Sequence, residues 1–217
     1  MTRFQSAVFD LDGTLIDSAP DIHAAANAAL AEHGLARITL LQTRGFIGHG
    51  AAVFFDRVRA ELGIDDAMQG PLMEAFLKRY ETAVHLTNCY PGAVECLETL
   101  KDAGLVLGLC TNKPIRPTRA VLDHLNLVRF FDVVLGGDSL EVRKPDPQPL
   151  VHCIDGLGGG STLYVGDSEV DAETADRAGV PFAIYANGYR KAALTDLPHV
   201  LAFDQFPDLT RFALATT

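Results

Sequence analysis

Short apolar runs alternate with longer amphipathic stretches along most of this chain. Apolar runs bounded by glycine, proline or polar residues are typical of buried strands. They predict strands at residues 7–9, 105–110, 132–135, 162–165 and 182–185. Helices are predicted between them, at residues 93–103, 118–125, from Asp146 and Pro147 onward, and 168–178. Strands that alternate with helices form a parallel sheet covered on both faces, so we expect an α/β fold with a Rossmann-like core.

The segment that follows the first strand has a different pattern. Ser18 is a predicted helix N-cap, with Pro20 in the first turn and Asp21 as its capping-box partner. This helix is expected to stop near Gly34, where glycine suits a C-terminal cap. Apolar residues at three- and four-residue spacing predict two more helices, at 51–62 and 71–85.

Residues 18–88 contain no strand pattern, which indicates a helical insertion into the α/β core. We predict a core made of residues 1–16 and 89–217 and an inserted helical domain of residues 17–88. The two connections between them are expected near residues 16–18 and 86–91.

Composition narrows the class of protein. The 217 residues are 48% hydrophobic and 21% charged, as in an ordinary globular protein. A formal charge of −10 argues against nucleic acid or an anionic membrane surface as a partner. The four cysteines form no CxxC pair and are expected to be buried thiols, so zinc is not predicted. The early first strand leaves no room for a signal peptide and no apolar run is long enough to span a membrane, so we expect a cytoplasmic protein.

Asp10 and Asp12 follow the first predicted strand and bracket Leu11, before a turn at Gly13. Two carboxylates two residues apart lie on the same side of an extended backbone and repel each other. The pair could serve a turn alone, because Asp is common in turns. It could instead bind a divalent cation or act in acid–base and nucleophilic chemistry.

Other polar residues follow the later strands. Thr111, Lys144 and Asp167 come after the second, third and fourth strands, and Asp171 comes one helical turn after Asp167. In isolation, Thr111 could be a turn hydroxyl, Lys144 a solvated lysine and Asp171 the capping partner of Ser168. Because the carboxyl ends of parallel strands share one edge of the sheet, these groups are expected to meet there. Four carboxylates at one place require cations, and oxygen ligands favour Mg²⁺.

These segments together resemble the four motifs of the haloacid dehalogenase superfamily, in the order in which the superfamily has them. They are DLDGTLID at 10–17, CTNK with Thr111, RKPDP with Lys144, and GDSEVDAETA with Asp167 and Asp171. Within that superfamily the chain is similar to the phosphoglycolate phosphatases in LIDSAPD, GHG, TNKP, GGDSL with KPDPQPL, and NGY. The helical insertion resembles the cap domain of this family.

The resemblance implies a Mg²⁺-dependent phosphoric monoester hydrolase. Asp10 would be the nucleophile that forms an aspartyl-phosphate, and Asp12 the general acid and then the general base. Mg²⁺ would be held by the Asp10 carboxylate, the Asp12 main-chain carbonyl and Asp167, with Asp171 acting through water. Thr111, Asn112 and Lys144 would bind the phosphoryl group, where Lys144 also stabilises charge.

His49 is the candidate substrate-binding residue of the cap. It lies between Gly48 and Gly50 before the predicted helix at 51–62, where main-chain N–H groups and an imidazole could meet an anion. A flexible loop with a solvated histidine is the alternative. Arg44, Arg57 and Arg59 are other cations of the cap that could serve. We expect 2-phosphoglycolate as the substrate, a small phosphorylated metabolite, and a monomer or homodimer.

Four other functions are to be compared with these motifs. A dehalogenase needs neither Asp12 nor Mg²⁺, and a phosphonatase needs a cap lysine, for which Lys78 lies far from the start of its helix. A non-catalytic binding module would need no nucleophile. A sugar phosphomutase, or a phosphatase for another small metabolite, would share the same core and stays open as the alternative.

Overall fold

The computed structural model describes residues 3–215 and contains one six-stranded sheet and one two-stranded ribbon. The strands are β1 (Ser6–Phe9), β2 (Ile16–Asp17), β3 (Asn88–Cys89), β4 (Val106–Cys110), β5 (Val133–Leu135), β6 (Thr162–Gly166), β7 (Phe182–Tyr185) and β8 (Leu201–Phe203). The α-helices are α1 (Ala19–Glu32), α2 (Leu40–Phe46), α3 (Ala51–Leu62), α4 (Gln69–Tyr80), α5 (Ala93–Asp102), α6 (Ile115–His124), α7 (Gln148–Gly156), α8 (Glu169–Ala178) and α9 (Phe206–Leu214).

All strands of the large sheet are parallel, in the order β5-β4-β1-β6-β7-β8. The chain runs outward from β1 through β4 and β5, and then returns to the other side of β1 for β6, β7 and β8. This reversal opens a crevice at the carboxyl ends of β1, β4 and β6, where ligands of such sheets bind. The Rossmann-like α/β fold and all five predicted strands are confirmed.

Successive side chains of the central strands enter different apolar clusters on the two faces of the sheet. Phe9 and Val165 belong to one cluster, whereas Val8 and Tyr164 belong to the other. Because both faces are buried, these strands are continuous apolar runs rather than alternating ones. Strand β8 and helix α9 were not predicted. Strand β8 is a short edge strand in which Ala202 is exposed, so it lacks a continuous apolar run.

A third apolar cluster lies within the helical insertion and is built from α1, α3 and α4. Its aromatic centre is Phe54, Phe55, Phe76 and Tyr80, whose rings pack edge-on and stacked. The helix predicted at 51–62 is confirmed as α3. The predicted C-terminal end of the helix at 71–85 was wrong, because α4 stops at Tyr80. Val84 packs instead into the apolar cluster that contains Phe9 and Val165.

Helix α2 was not predicted. Thr43 is its one buried residue, so it has no apolar stripe that would mark it in the sequence. It depends on its cap instead: Thr39 Oγ1 accepts from the main-chain N–H of Gln42, and Gln42 Oε1 accepts from the N–H of Thr39.

Two other predicted helix starts need correction. Helix α7 begins at Gln148, one residue later than predicted, although Asp146 Oδ1 does accept from its first N–H. Helix α6 begins at Ile115, earlier than predicted, and its N–H donates to Asp138 Oδ1. Pro117 lies in the first turn of this helix, where proline is tolerated.

The predicted capping box at Ser18 was wrong. Ser18 Oγ is buried and accepts no bond from α1, and Asp21 does not bond back to it. Asp21 Oδ2 instead accepts from the Leu86 N–H (2.9 Å) and from Thr87 Oγ1 (2.6 Å). Through these two hydrogen bonds, Asp21 joins the start of α1 to residues 86–87, in the segment that leads back to the sheet.

The two connections lie side by side as the antiparallel ribbon of β2 and β3, in which Ile16 pairs with Cys89 and Asp17 with Asn88.

All four cysteines are free thiols; Cys96, Cys110 and Cys153 are buried and Cys89 is half-buried. No helix within residues 3–215 is both long and apolar enough to cross a membrane.

Candidate active site

Asp10 and Asp12 lie at the carboxyl end of β1, where the chain turns at Gly13. The Asp10 N–H still donates to Val165 O of β6 (2.8 Å), so the first carboxylate is fixed by the sheet itself. Gly13 has φ +91°, and a Cβ there would lie 2.5 Å from Asp167 Oδ2. Glycine is required here because the turn and Asp167 occupy the space that a side chain would need.

Lys144 holds Asp10 in place through a hydrogen bond. Its Nζ donates to Asp10 Oδ1 (2.8 Å), to the Tyr164 hydroxyl (2.8 Å) and to Asp171 Oδ1 (2.7 Å). The Tyr164 hydroxyl in turn donates to Asp171 Oδ1 (2.7 Å). Burial acts to lower the pKa of Lys144, but the charges of Asp10 and Asp171 raise it above its ordinary value, so the ammonium stays charged. The predicted meeting of Lys144 with the aspartates is present.

Asp167 faces the same crevice and is held by neighbours from two loops. Its Oδ1 accepts from Thr14 Oγ1 (3.0 Å), and its Oδ2 accepts from the Tyr189 N–H (2.5 Å). Burial, with the charges of Asp171 and Asp10, raises the pKa of Asp167 well above its ordinary value. A buried carboxylate with so little compensation is suited to a cation.

Asp171 uses its carboxylate mainly within the protein. Its Oδ2 accepts from the N–H of Asp167 (3.2 Å) and from the N–H (3.2 Å) and Oγ (2.7 Å) of Ser168, while its Oδ1 accepts from Lys144 and Tyr164. Burial alone would raise the pKa of Asp171, but Lys144 and these hydrogen bonds hold it below its ordinary value. The predicted capping role at the start of α8 is present.

One carboxylate oxygen from each of Asp10, Asp167 and Asp171 lies within 4.8 Å of the other two, and all three residues are buried. Among the described residues, Lys144 is the ammonium that contacts them, so the group keeps an excess of negative charge. Burial raises the pKa of Asp10 to about 6, because desolvation outweighs the lowering effect of Lys144. Hard oxygen ligands with uncompensated charge fit a divalent cation such as Mg²⁺.

Asp12 is paired with Lys113, a residue that the sequence did not single out. Lys113 Nζ lies 3.2 and 3.4 Å from the two Asp12 carboxylate oxygens and donates to the Tyr80 hydroxyl of α4 (2.6 Å). Burial acts to lower the pKa of Lys113, but the Asp12 charge and the Tyr80 hydroxyl raise it above its ordinary value. The signal available in the sequence was a lysine two residues after Thr111, beside a strand end.

Thr111 and Asn112 follow β4 and are both buried at the crevice, as predicted. Thr111 Oγ1 accepts from the Lys113 N–H (3.3 Å). Asn112 Nδ2 donates to Gly48 O of the insertion (3.0 Å) and to Lys144 O (2.9 Å). Asn112 Oδ1 is buried without a partner among the described residues. The Asn112 side chain thus links the loop of Gly48 to the loop of Lys144.

His49 lies at the mouth of the crevice, which is lined there by Asp10, Asp12 and Asp167. Arg57 Nη2 is 3.2 Å from His49 Nδ1, and Arg57 Nη1 donates to Phe46 O. Burial, followed by the charges of Arg57 and Lys191, lowers the pKa of His49. The imidazole is therefore neutral near pH 7, accepts from Arg57 at Nδ1 and has an N–H at Nε2 to donate.

The other two candidate cations of the cap are engaged elsewhere. Arg44 pairs with Asp17 (2.8 Å) on the surface, and Arg59 pairs with Asp56 and Asp66. Neither lines the crevice, whereas a pocket runs from Asp10, Asp12 and Thr111 to the apolar wall of the insertion. That wall is formed by Ile22, Ile47, Phe54 and Phe76, with Tyr80 and Lys113 as its polar members.

The fold, the four loops and the carboxylate group agree with a known family of hydrolases. The model of the haloacid dehalogenase-like hydrolase family matches residues 7–185, and the chain belongs to that family. Its relatives are more specific. The chain is 49% identical over 214 residues to a phosphoglycolate phosphatase of Cereibacter sphaeroides, covering 96% of this chain and 98% of that protein. It is 43% identical over 206 residues to one of Rhodobacter capsulatus, covering 93% of each.

A solved structure gives the same result. The crystal structure of a predicted phosphoglycolate phosphatase from Haemophilus somnus superposes with a TM-score of 0.90 at 30% identity, over 97% of this chain and 98% of that one. The resemblance stated from the motifs is thereby confirmed. The comparisons also support the prediction that the protein is a phosphoric monoester hydrolase.

Proposed function

We propose that this protein hydrolyses 2-phosphoglycolate to glycolate and phosphate through a phosphoryl group carried on Asp10. The observation that carries the proposal is the pairing at the end of β1. Asp10 is oriented by Lys144, while Asp12, two residues on, lies beside Lys113 and lines the same pocket. One carboxylate suits a nucleophile and the other an acid–base group.

In the first step, an Asp10 oxygen attacks phosphorus and the bond to the ester oxygen breaks. Asp12 gives its proton to that leaving oxygen, and then takes a proton from the water that hydrolyses the aspartyl-phosphate. Thr111 and Asn112 hold the phosphoryl oxygens at the end of β4. Lys144 offsets the negative charge that builds up there and favours the ionised form of Asp10.

Mg²⁺ would be held by Asp10, Asp167 and the Asp12 main-chain carbonyl. When bound, it supplies positive charge to the phosphoryl oxygens and offsets the excess charge of the carboxylates. Asp171 would act through water, since both of its oxygens already accept hydrogen bonds from the protein. Proposing Mg²⁺ rather than a softer metal rests on the all-oxygen donor set.

The substrate is proposed from the relatives and from the shape of the pocket. Two bacterial relatives that match nearly the whole chain are phosphoglycolate phosphatases. Residues 17–88 are proposed as the cap that closes over a small substrate, with His49 donating a hydrogen bond to it from the mouth of the crevice. Asn112 supports such a role for the cap, because it bonds to Gly48 O. A wall of Ile22, Phe54 and Phe76 would exclude water during the reaction.

The proposed core of residues 1–16 and 89–217 includes residues 1, 2, 216 and 217, which lie outside the described residues. A cytoplasmic location and a monomeric or homodimeric state stay predictions.

The test is phosphate release from purified protein over a panel of esters, with and without Mg²⁺. The panel contains 2-phosphoglycolate, hexose phosphates, a nucleotide and pyrophosphate. We expect the highest kcat/KM on 2-phosphoglycolate and loss of activity on chelation of the metal. Interconversion of hexose phosphates with little phosphate release would contradict the proposal and favour a sugar phosphomutase.

A further inference from the structure

We propose that Lys113, together with the Tyr80 hydroxyl, recognises the carboxylate of the substrate and sets the preference for phosphate esters of small 2-hydroxy acids. The inference rests on the proposed function and concerns the side of the site away from the phosphoryl group. Lys113 follows β4 of the core, and Tyr80 ends α4 of the helical insertion.

Lys113 differs from the other buried lysine in the number of carboxylates that offset its charge. Lys113 and Lys144 are the buried lysines of the described residues. Lys144 is engaged by two carboxylates, Asp10 and Asp171, and by the Tyr164 hydroxyl. Lys113 faces the single carboxylate of Asp12, at the longer distances of 3.2 and 3.4 Å. An additional anion is therefore better accommodated beside Lys113 than beside Lys144.

Tyr80 provides a second, independent observation. Its hydroxyl oxygen accepts from Lys113 Nζ, and within residues 3–215 no acceptor takes the hydroxyl proton. The side chain is buried and lines the pocket that contains Asp10 and Asp12. A buried donor without an acceptor is costly unless a ligand supplies one. A carboxylate oxygen in the pocket would accept from Tyr80 and Lys113 together.

The chemistry of the substrate fits this position. In 2-phosphoglycolate, one carbon separates the carboxylate from the bridging oxygen, so their oxygens lie roughly 3 Å apart. Asp12 must reach the bridging oxygen at hydrogen-bond distance, about 2.6–3.2 Å, in order to protonate it. Lys113 Nζ, 3.2 Å from Asp12 Oδ1, is then within reach of the carboxylate. The apolar wall beside it strengthens this contact, because little water screens it.

His49 would make a weaker contact. Its imidazole is neutral because burial and the neighbouring Arg57 and Lys191 lower its pKa, and it lines the metal side of the crevice with Asp167. Lys113 lines the same pocket as Asp12, the residue proposed to protonate the leaving oxygen. The leaving group is the part of the ester that carries the carboxylate.

The experiment compares kcat/KM for 2-phosphoglycolate and ethyl phosphate, which has a methyl group in place of the carboxylate. In Lys113→Gln we expect the ratio of the two values to fall about ten- to a hundredfold, the effect of losing a charged hydrogen bond. In Tyr80→Phe, which loses only the hydroxyl, the ratio should fall about two- to tenfold. Because both substrates are measured on the same preparation, the ratio does not depend on the fraction of folded enzyme.

Lys101→Gln is the matched control, since Lys101 pairs with Asp132 away from the crevice and its loss should leave the ratio unchanged. Equal losses on both substrates in Lys113→Gln would show that Lys113 only positions Asp12, and would overturn the inference. If Lys113→Gln loses all activity, an unchanged ratio in Tyr80→Phe overturns it as well. A wild-type enzyme without preference for 2-phosphoglycolate would contradict the proposed function itself, before any variant is compared.

Discussion

Lys144 Nζ lies 2.8 Å from Asp10 Oδ1 and cannot turn away from it. An ammonium has three donors, and here they are directed at Asp10, Tyr164 and Asp171. Asp10, the proposed nucleophile, is therefore oriented by a side chain whose three donors are all engaged. This matters because attack on phosphorus depends on holding the reacting atoms in line.

Replacing Asp10 with Asn should abolish turnover while leaving the fold intact. The amide has nearly the same shape, but it is a poor nucleophile and a weaker ligand for a cation. The measurement is phosphate release by Asp10→Asn, with circular dichroism as the control for folding. A folded variant with turnover close to that of the wild type would falsify the covalent mechanism.

Replacing Asp12 with Asn should separate chemistry from metal binding. The predicted ligand at this position is the main-chain carbonyl, which the substitution leaves in place. Asp12→Asn should therefore keep more Mg²⁺ affinity than Asp10→Asn, while its turnover falls by about 10²–10⁴-fold with the loss of the acid–base group. Calorimetric titration with Mg²⁺ measures the first effect. Equal losses of affinity in both variants would show the ligand assignment to be wrong.

Replacing Tyr164 with Phe should lower both stability and kcat. The hydroxyl accepts from Lys144 and donates to Asp171, and its removal leaves buried groups of both residues with one partner fewer. We expect a loss of about 1–3 kcal/mol in the free energy of unfolding. Urea unfolding and kcat are measured against Tyr185→Phe, a buried tyrosine of β7 whose ring packs on Phe203 and Phe206. Similar losses of kcat in both variants would argue against a positioning role for Tyr164.

Replacing His49 with Ala should have a smaller effect on 2-phosphoglycolate than the loss of Lys113. A neutral imidazole donates an ordinary hydrogen bond, worth about 0.5–1.5 kcal/mol, or roughly two- to tenfold in kcat/KM. Ethyl phosphate and 2-phosphoglycolate are again compared on one preparation. Uniform loss on both substrates would indicate that His49 serves the structure of the loop, through Arg57, rather than the carboxylate.

The sheet and the carboxylates could be predicted because both depend on strong local patterns. Asp10, Lys144 and Asp167 each follow an apolar strand, and the geometry of parallel sheets brings such positions to one edge. Distance along the chain did not matter, since the topology of the sheet supplies the contact. Their positions after predicted strands were therefore enough to expect Asp10 and Lys144 close together.

The pairing of Lys113 with Tyr80 could not be predicted in the same way. It depends on how the helical insertion lies on the core, and apolar periodicity in α4 shows only that Tyr80 faces inward. Tyr164 was also missed, because a tyrosine in an apolar strand gives no sign that its hydroxyl bonds to a lysine of another loop. Contacts between independently packed elements are determined by tertiary structure, which the local sequence pattern does not contain.

The effect of Mg²⁺ on stability should increase with pH. Burial raises the pKa of Asp10 from its ordinary value of 3.8 to about 6, so the folded metal-free protein binds this proton more tightly than the unfolded chain does. The contribution of Asp10 to stability therefore falls as the pH rises from about 4 to about 6. Above that range the charge is present in the folded state and a dication can offset it, whereas below it protons compete with the metal.

Thermal unfolding with and without Mg²⁺ at pH 4.5 and at pH 7.5 measures this difference. We expect the rise in Tm caused by Mg²⁺ to be clearly larger at pH 7.5 than at pH 4.5. In Asp10→Asn, the difference between the two pH values should become smaller, because Asp10 no longer titrates. It should not disappear, because the pKa of Asp167 is also raised and its protonation still competes with the metal. An identical Mg²⁺ effect at both pH values in the wild type would show that the carboxylates at the end of β1 and β6 do not bind the cation.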